Sequence, residues 1–193
     1  MRSKLDEQVI WDAALRVFSR YGYKKSTLED IAGELGMTNT AIYAYAAGKR
    51  DLYEQTVRYV MLRWQSGVRK AVDREATARG KLTTLCESAL YYLAKDKEFC
   101  DLLRNDPSIF PMFPTVDPYE EINGDSVRMI AAILAFGKQT GEFRDLDETA
   151  VSEVLFSIYK NFIIHTYINA EEDYTSQYLP VTLELVLGGI LRS

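Results

Sequence analysis

Apolar side chains recur at intervals of three and four residues along almost the whole chain, which is the period of amphipathic α-helices. The clearest stripe lies in residues 4–21 and consists of Val9, Ile10, Ala13, Ala14, Val17, Phe18 and Tyr21. No stretch alternates apolar and polar residues in the manner of a half-buried β-strand. The pattern therefore predicts an all-α protein of about nine helices.

Glycine residues and capping residues divide this pattern into segments. The predicted helices cover residues 4–21, 26–36, 38–45, 49–79, 82–95, 97–104, 119–140, 147–170 and 173–191. The second helix is expected to begin at Ser26 or Thr27, because each is followed three residues later by an acidic residue, as in a capping box. Gly67 marks the point where the long fourth helix would bend, and Pro180 is expected to kink or delay the ninth.

Residues 28–46 have the features of two short helices that cross on a tight turn. Ala32 supplies a small side chain where the helices would touch, and Gly36 tolerates the positive φ that the turn needs. The apolar positions that would hold the pair together are Leu28, Ile31, Leu35, Met37 and Ile42. This combination is typical of a helix-turn-helix, but a plain helical hairpin with polar residues outside has the same features.

The third predicted helix would present its other face to a partner. Asn39, Thr40 and Tyr43 fall on one outward side of that helix, and such side chains can contact base edges in the major groove of DNA. The surrounding residues with groups that can bind phosphates are Thr27, Thr38, Tyr45 and Lys49. We therefore predict that these two sets of residues contact DNA.

The run from Ala13 to Tyr53 resembles the TetR family, the tetracycline-repressor-like regulators. The matching residues, in order and at the expected spacing, are Ala14, Phe18, Gly22, Tyr23, Ser26, Thr27, Ile31, Ala32, Leu35, Gly36, Met37, Ile42, Tyr43, Lys49, Leu52 and Tyr53. Two positions depart from the family, which often has glycine where Thr40 stands and an aromatic residue where Ala46 stands. The tyrosines available to fill the space left by Ala46 are Tyr43, Tyr45 and Tyr53.

The resemblance implies a fold and a role. Members of the family place the third helix in the major groove and dimerise through a divergent helical body. Residues 1–50 are therefore expected to form the helix-turn-helix DNA-binding domain, and residues 51–193 the helical effector-binding and dimerisation domain. The expected function is that of a ligand-responsive transcriptional regulator, a repressor that a small apolar or amphipathic molecule releases from a palindromic operator in double-stranded DNA.

The net charge of the chain is -5, which by itself argues against a nucleic-acid partner. The charge is unevenly distributed, however, since residues 1–55 contain eight basic and eight acidic residues. All the net acidity therefore lies in the second part of the chain. DNA binding requires a basic face and not a basic protein, so the prediction stands.

Aromatic side chains are frequent in the second part, and small-ligand cavities are mostly apolar with a few polar groups. The predicted ligand contacts are Trp64, Tyr92, Phe110, Phe113, Phe162 and His165. Core packing explains any one of these aromatic residues more simply, and His165 has the alternative of a core or interface histidine. The six residues taken together are what favours a ligand cavity over simple core packing.

The last two predicted helices carry apolar faces wider than one buried stripe requires. Their residues are Val151, Val154, Leu155, Ile158, Phe162, Ile163, Leu179, Leu183, Leu185, Val186, Leu187 and Ile190. We expect these faces to form the four-helix interface of a homodimer, although they could also be the core of a monomer. Two-fold pairing fits DNA half-sites, which lie ~34 Å apart.

Other function classes have little support in the sequence. The single histidine leaves no Ser-His-Asp set, and no P-loop or dinucleotide-binding glycine motif is present, so we expect neither an enzyme nor a cofactor. The acidic clusters at residues 120–121 and 171–173 consist of neighbours in sequence, which do not converge on one metal ion. A helical ligand- or protein-binding dimer without specific DNA binding remains the alternative function.

The remaining features concern the cysteines and the cellular compartment. Cys86 and Cys100 have no metal-ligand spacing and are expected to be small buried hydrophobic residues, with a redox-sensing pair as the alternative. No apolar run approaches the ~20 residues of a membrane span. The first residues lack the apolar segment of a signal peptide, so a cytoplasmic protein without membrane contact is expected.

Overall fold

The computed structural model describes residues 6–112, 116–171 and 173–192. Its helices are α1 (Glu7–Lys25), α2 (Leu28–Glu34), α3 (Asn39–Ile42), α4 (Lys49–Val72), α5 (Ala78–Lys95), α6 (Lys97–Asn105), α7 (Glu120–Thr140), α8 (Glu148–Ile163) and α9 (Tyr174–Ile190). A 3₁₀ turn (Pro107–Ile109) follows α6, and a π-helical turn (Ile164–Ile168) continues α8. The all-α prediction is confirmed, since these ranges hold one isolated bridge and no β-strand. None of the helices described is both long and apolar enough to span a bilayer.

The start of α2 is fixed by Thr27, one of the two predicted caps. Its backbone N–H donates to Asp30 Oδ2 (2.8 Å), and the Asp30 N–H donates to Thr27 Oγ1 (3.1 Å), which completes the capping box. Ser26 has a different role, because its buried hydroxyl donates to the Gly22 carbonyl at 2.7 Å. Gly22 has a φ of +72° and interrupts α1 close to the predicted end.

The turn between α2 and α3 depends on Gly36. Its φ is +62°, in the left-handed region that costs a residue with a Cβ atom roughly 1–2 kcal/mol. The Met37 N–H donates to the Ala32 carbonyl at 2.8 Å, which folds the chain back over α2. Ala32 is buried where the helices meet, as are Ile31 and Ile42. The helix-turn-helix predicted from the sequence is therefore present.

The third helix is shorter than predicted. Regular α-helix covers Asn39–Ile42, and the chain continues to Tyr45 in turns. Ala46 is buried behind this segment, and of the three tyrosines considered for the space around it, Tyr53 is the buried one. The Tyr53 ring packs edge-on against Phe18 with 5.0 Å between ring centroids. The buried ring of Tyr53 therefore packs α4 against α1.

The prediction of one long fourth helix to residue 79 was wrong. The helix α4 runs unbroken through Gly67 and ends at Val72, and a new helix begins at Ala78. Thr77 caps α5 by accepting a hydrogen bond from the Gly80 N–H at 3.0 Å. Gly80, which was expected to end a helix, therefore lies in the first turn of the next one.

Two helices connect the first three helices, called the head below, to the rest of the chain, called the body. The helix α4 packs against α1 on one side and α5 on the other, and the predicted domain boundary at residues 50–51 falls in its first turn. The helix α6 also packs against α1. Asn105, at the end of α6, donates to the Ser19 carbonyl in α1 at 2.6 Å, and the Tyr53 hydroxyl donates to Asp106 Oδ2 at 2.7 Å.

The helix α9 is held at both ends, and at its N-terminal end the Tyr174 hydroxyl donates to Asn161 Oδ1 at 2.6 Å. Leu187 and Ile190 are its buried residues. The Arg144 N–H donates to the Ile190 carbonyl, and the Arg192 N–H donates to the Glu142 carbonyl, both at 2.9 Å. The helix contains Pro180, and much of its remaining length lies on the surface.

Gly137 generates a stability prediction. A Cβ atom at this position in α7 would overlap the buried Phe143 ring. We expect Gly137→Ala to lower the free energy of unfolding by about 1–3 kcal/mol, the usual cost of overpacking a core. Urea denaturation followed by circular dichroism measures the change. Gly33→Ala is the matched control, because a Cβ there meets nothing within 4 Å and alanine favours a helix. Equal losses in both variants would contradict the steric explanation.

Candidate DNA interface and ligand cavity

The outward face of α3 consists of the three residues predicted to contact bases. Thr40 is exposed, and Tyr43 is 56% exposed although it is a large aromatic residue. Asn39 is half-buried, and its Oδ1 atom is buried without a hydrogen-bond partner among the described residues. An unsatisfied buried acceptor costs about 1–3 kcal/mol. Asn39 is therefore less accessible to DNA in this conformation than its two neighbours.

The residues predicted to bind phosphates lie around this face. Thr38 is exposed at the N-cap of α3, and its side chain makes no capping hydrogen bond, so the hydroxyl is available. The Thr27 hydroxyl is exposed but engaged, since it both donates to and accepts from Asp30. These hydrogen bonds hold the pKa of Asp30 below its ordinary value, so the capping box persists at neutral pH. Tyr45 is half-buried against the core of the head.

Lys49 ties the start of α4 to the end of α1. Its ammonium group donates to the Lys24 carbonyl at 3.2 Å and lies 4.5 Å from the centre of the Tyr23 ring. A cation held at a helix C-terminus and over an aromatic ring is well placed and partly desolvated. Lys49 therefore links the start of α4 to the end of α1.

Several positive charges of the head and of the first turn of α4 are paired on the surface. Arg16 contacts Glu34 at 2.9 Å, and Arg50 contacts Glu54 at 2.8 Å. Exposed pairs of this kind contribute little to stability, so a phosphate group can replace the carboxylate at small cost. Lys24 and Lys25, in the last turn of α1, are exposed. The head can therefore present a basic surface despite its balanced composition.

A partly open apolar cavity of about 30 Å³ lies between α5, α7, α8 and α9. Its lining consists of Leu82, Leu85, Cys86, Leu90, Ile130, Leu155, Ile158, Tyr159, Phe162, Leu179, Thr182, Leu183 and Val186. A volume of this size holds roughly one water molecule. The cavity, called the inner cavity below, therefore has the chemistry of a hydrocarbon-binding site, and a larger ligand requires it to open.

The predicted ligand residues do not all meet at this cavity. Phe162 lines it, whereas Trp64 and Tyr92 border a surface groove between α4 and α5. Phe110 is core, with its ring centroid 6.4 Å from that of Trp64. His165 lies in the π-helical turn, where its Nδ1 is 2.8 Å from Glu171 and its ring stacks on Tyr174. Phe113 lies outside the described residues.

Sequence reasoning missed most of the cavity lining. Leu183 and Val186 were assigned to a dimer interface but are half-buried and line the inner cavity. A wide apolar face looks the same in sequence whether it covers a cavity or a partner. Cys86 also lines the cavity, and burial raises the pKa of its thiol to about 12, so it stays protonated. Burial likewise raises the pKa of Cys100 to about 11.

A second part of the α8 and α9 faces is exposed. The large apolar residues there are Val154, Tyr178, Val181 and Leu185. Leu185 is 73% exposed, and a Cβ atom added at Gly188 or Gly189 would meet nothing within 4 Å. We call these exposed residues the α8–α9 surface. A patch of this kind is typical of a protein–protein contact.

An exposed reading helix on a helix-turn-helix, joined to a helical body with an apolar cavity, defines a helix-turn-helix transcription regulator. Residues 10–56 match the family model described as bacterial regulatory proteins, tetR family. The segment that holds the helix-turn-helix therefore matches the TetR family of transcriptional regulators. Among the described residues, no cluster of acidic, histidine or cysteine side chains could hold a metal ion.

Similar proteins extend the likeness to the whole chain. The fatty acid metabolism regulator protein of Bacillus subtilis (strain 168) is 24% identical over 185 residues, which cover 94% of this chain and 93% of that protein. The crystal structure of FadR from Bacillus subtilis in complex with stearoyl-CoA has a TM-score of 0.78 at 22% identity, and covers 96% of this chain and 100% of the other. FadR from Bacillus halodurans has a TM-score of 0.76 at 20% identity, with 97% and 100% covered. The structural likeness establishes the fold.

Tyr43 provides the test of the DNA interface. Because this exposed ring lies at the C-terminal end of α3, we expect Tyr43→Ala to weaken operator binding by about 1–3 kcal/mol, or roughly tenfold to a hundredfold, without loss of folding. Fluorescence anisotropy with labelled DNA measures the change. Tyr91→Ala is the matched control, since Tyr91 is a similarly exposed tyrosine on the body. Unchanged affinity in the Tyr43 variant would argue strongly against this docking.

Proposed function

We propose that the protein is a homodimeric repressor which long-chain acyl compounds, such as fatty acyl-CoA thioesters, release from a palindromic DNA operator in the cytoplasm. In this proposal Asn39, Thr40 and Tyr43 contact bases. The phosphate contacts are Thr27, Thr38, Tyr45 and Lys49. The observation that carries the proposal is the inner cavity, whose lining is almost wholly hydrocarbon, in a chain with an exposed reading helix.

The chemistry of the inner cavity supports an acyl chain as the ligand. Its walls are leucine, isoleucine, valine and aromatic side chains from four helices, which offer dispersion contacts and few hydrogen bonds. Each methylene group buried there contributes about 0.8 kcal/mol. The FadR structure from Bacillus subtilis was solved with stearoyl-CoA, and we propose a ligand of the same class for this chain.

The small volume of the cavity supports a response to the ligand. About 30 Å³ cannot contain a long chain, so binding favours a conformation in which α8 or α9 has moved. A ligand shifts such an equilibrium only to the extent that it binds one state better. The conformation with the closed cavity would be the one that binds DNA.

The contacts of α6 offer a route from the cavity to the head. The Tyr167 hydroxyl, in the π-helical turn, donates to the carbonyl of the cavity residue Leu90 at 2.7 Å. Arg104 in α6 donates to the Tyr167 carbonyl at 3.0 Å, and the next residue, Asn105, bonds Ser19 in α1. Movement of the π-helical turn would therefore displace α6 and, with it, the head. We propose that α6 acts in this way together with α4.

A second candidate function is a helical ligand- or protein-binding dimer without specific DNA binding. The buried Oδ1 atom of Asn39, on the helix that would contact bases, favours it. A salt titration separates the two candidates. A specific regulator loses affinity steeply with salt but keeps a sequence preference, whereas the alternative shows no preference.

Selection of bound DNA from a random pool, followed by sequencing, tests the proposed function. We expect a palindrome whose half-sites are about one helical turn apart. Stearoyl-CoA should then weaken binding to the selected DNA by roughly fivefold to a hundredfold, the usual range of allosteric coupling, while free CoA has no effect. No enriched sequence would favour the second candidate. An enriched sequence that stearoyl-CoA does not release would show that the ligand class is wrong.

Leu185 tests the proposed dimer, because it is highly exposed on the α8–α9 surface and does not line the cavity. In a two-fold interface, Leu185→Glu would bury an unpaired charge on both copies, which is strongly unfavourable. We expect a monomer by sedimentation velocity, with unchanged helicity. Val116→Glu is the control, since Val116 is 81% exposed in a loop. A stable Leu185→Glu dimer would place the interface elsewhere.

A further inference from the structure

A second, smaller cavity adjoins the inner cavity. It has a volume of about 10 Å³ and lies between α4, α5, α7 and α8. Its lining includes the polar residues Gln65 and Ser126, and we call it the outer cavity. Three side chains line both cavities and form the partition between them, namely Leu85, Ile130 and Tyr159.

The outer cavity also lies close to the protein surface. Trp64 lines it and borders the groove between α4 and α5, a surface depression of about 330 Å³ that also contains Gly67, Tyr92 and Lys95. The groove, the outer cavity and the inner cavity are therefore arranged in series. Trp64 separates the first two compartments, and the partition separates the second from the third.

Tyr159 is the most exposed member of the partition. Leu85 and Ile130 are 4% and 2% exposed, whereas Tyr159 is only half-buried. The Tyr159 ring stacks on Trp64, at 6.0 Å between centroids, and on Phe156, at 5.9 Å. It therefore contacts both rings and keeps more free surface than the two aliphatic residues beside it.

Hydrogen bonding also distinguishes Tyr159 from the neighbouring rings. The Trp64 Nε1–H donates to the Ala89 carbonyl at 2.9 Å, and the Tyr167 hydroxyl is bonded to Leu90. Within the described residues no hydrogen bond holds the Tyr159 hydroxyl, and burial raises its pKa well above the ordinary value, so it stays neutral. Rotation of this side chain therefore breaks no hydrogen bond and moves no charge.

We propose that Tyr159 is the residue that determines acyl-chain length, because its ring closes the passage from the outer to the inner cavity. A chain that enters past Trp64 fills the outer cavity first. A longer chain turns the Tyr159 ring aside, joins the two cavities and continues into the inner cavity beneath α9. This inference rests on the proposed function, since it assumes that the ligand is an acyl chain.

The test is the dissociation constant of a homologous series of saturated acyl-CoA thioesters, from medium-chain to very long-chain, measured by isothermal titration calorimetry. Each methylene that reaches apolar lining should tighten binding by about fourfold. For the wild-type protein we expect this trend to flatten at the chain length that meets Tyr159 and to resume for longer chains. In Tyr159→Ala, which opens the passage, the flat region should be absent.

Two further variants make the result decisive. Tyr159→Phe keeps the ring and should keep the flat region, and Tyr91→Ala makes the same change on the surface and should leave the profile unaltered. If circular dichroism shows that Tyr159→Ala is unfolded, Tyr159→Leu takes its place in the test. Leucine also lacks a ring but fills more space than alanine. A flat region that survives in the ringless variants, or a wild-type trend without one, overturns the inference. Absence of acyl-CoA binding at every length would instead refute the proposed function.

Discussion

The packing of α1 against α4 and α6 is the contact on which the geometry of the whole molecule depends. The head has three helices, two of them short, and a core this small is marginal by itself. Ile10, Ala14 and Phe18 of α1 are buried, and α1 packs against α4 and α6 as well as against α2. The orientation of the reading helix is therefore set by helices that also build the ligand domain.

This dependence explains how a distant cavity can affect DNA binding. Asn105, the last residue of α6, donates a hydrogen bond to the carbonyl of Ser19 in α1. The next residue, Asp106, accepts a hydrogen bond from the hydroxyl of Tyr53 in α4. Burial and the adjacent Asp106 carboxylate raise the pKa of Tyr53, so its hydroxyl remains a donor at neutral pH. Displacement of α6 would act on α1 and α4 at once. A rigid change of orientation is then expected, because packed helices shift between discrete arrangements.

Local signals made the head predictable from its sequence, and their absence limited the prediction elsewhere. The capping box at Thr27 and the turn at Gly36 are each specified within a few residues, so the sequence located α2 and its turn correctly. The prediction at Gly80 was wrong because, in sequence alone, a glycine in the first turn of a helix cannot be distinguished from a glycine that follows the last turn. The cavity lining escaped prediction because it depends on how four helices pack, and Leu183 differs from Leu185 only in the direction it faces.

The two faces of α9 connect ligand binding to dimerisation. Leu179, Leu183 and Val186 line the inner cavity, while the α8–α9 surface faces outward on the same helix. Hydrogen bonds tie the helix at both ends, through Ile190 at the C-terminal end and through Tyr174 and Thr175 at the N-terminal end. In a dimer built on that surface, α9 could not move outward without displacing the partner subunit. Filling the cavity would therefore change the angle between two protomers, and with it the spacing of the two reading helices, even if each head kept its internal structure.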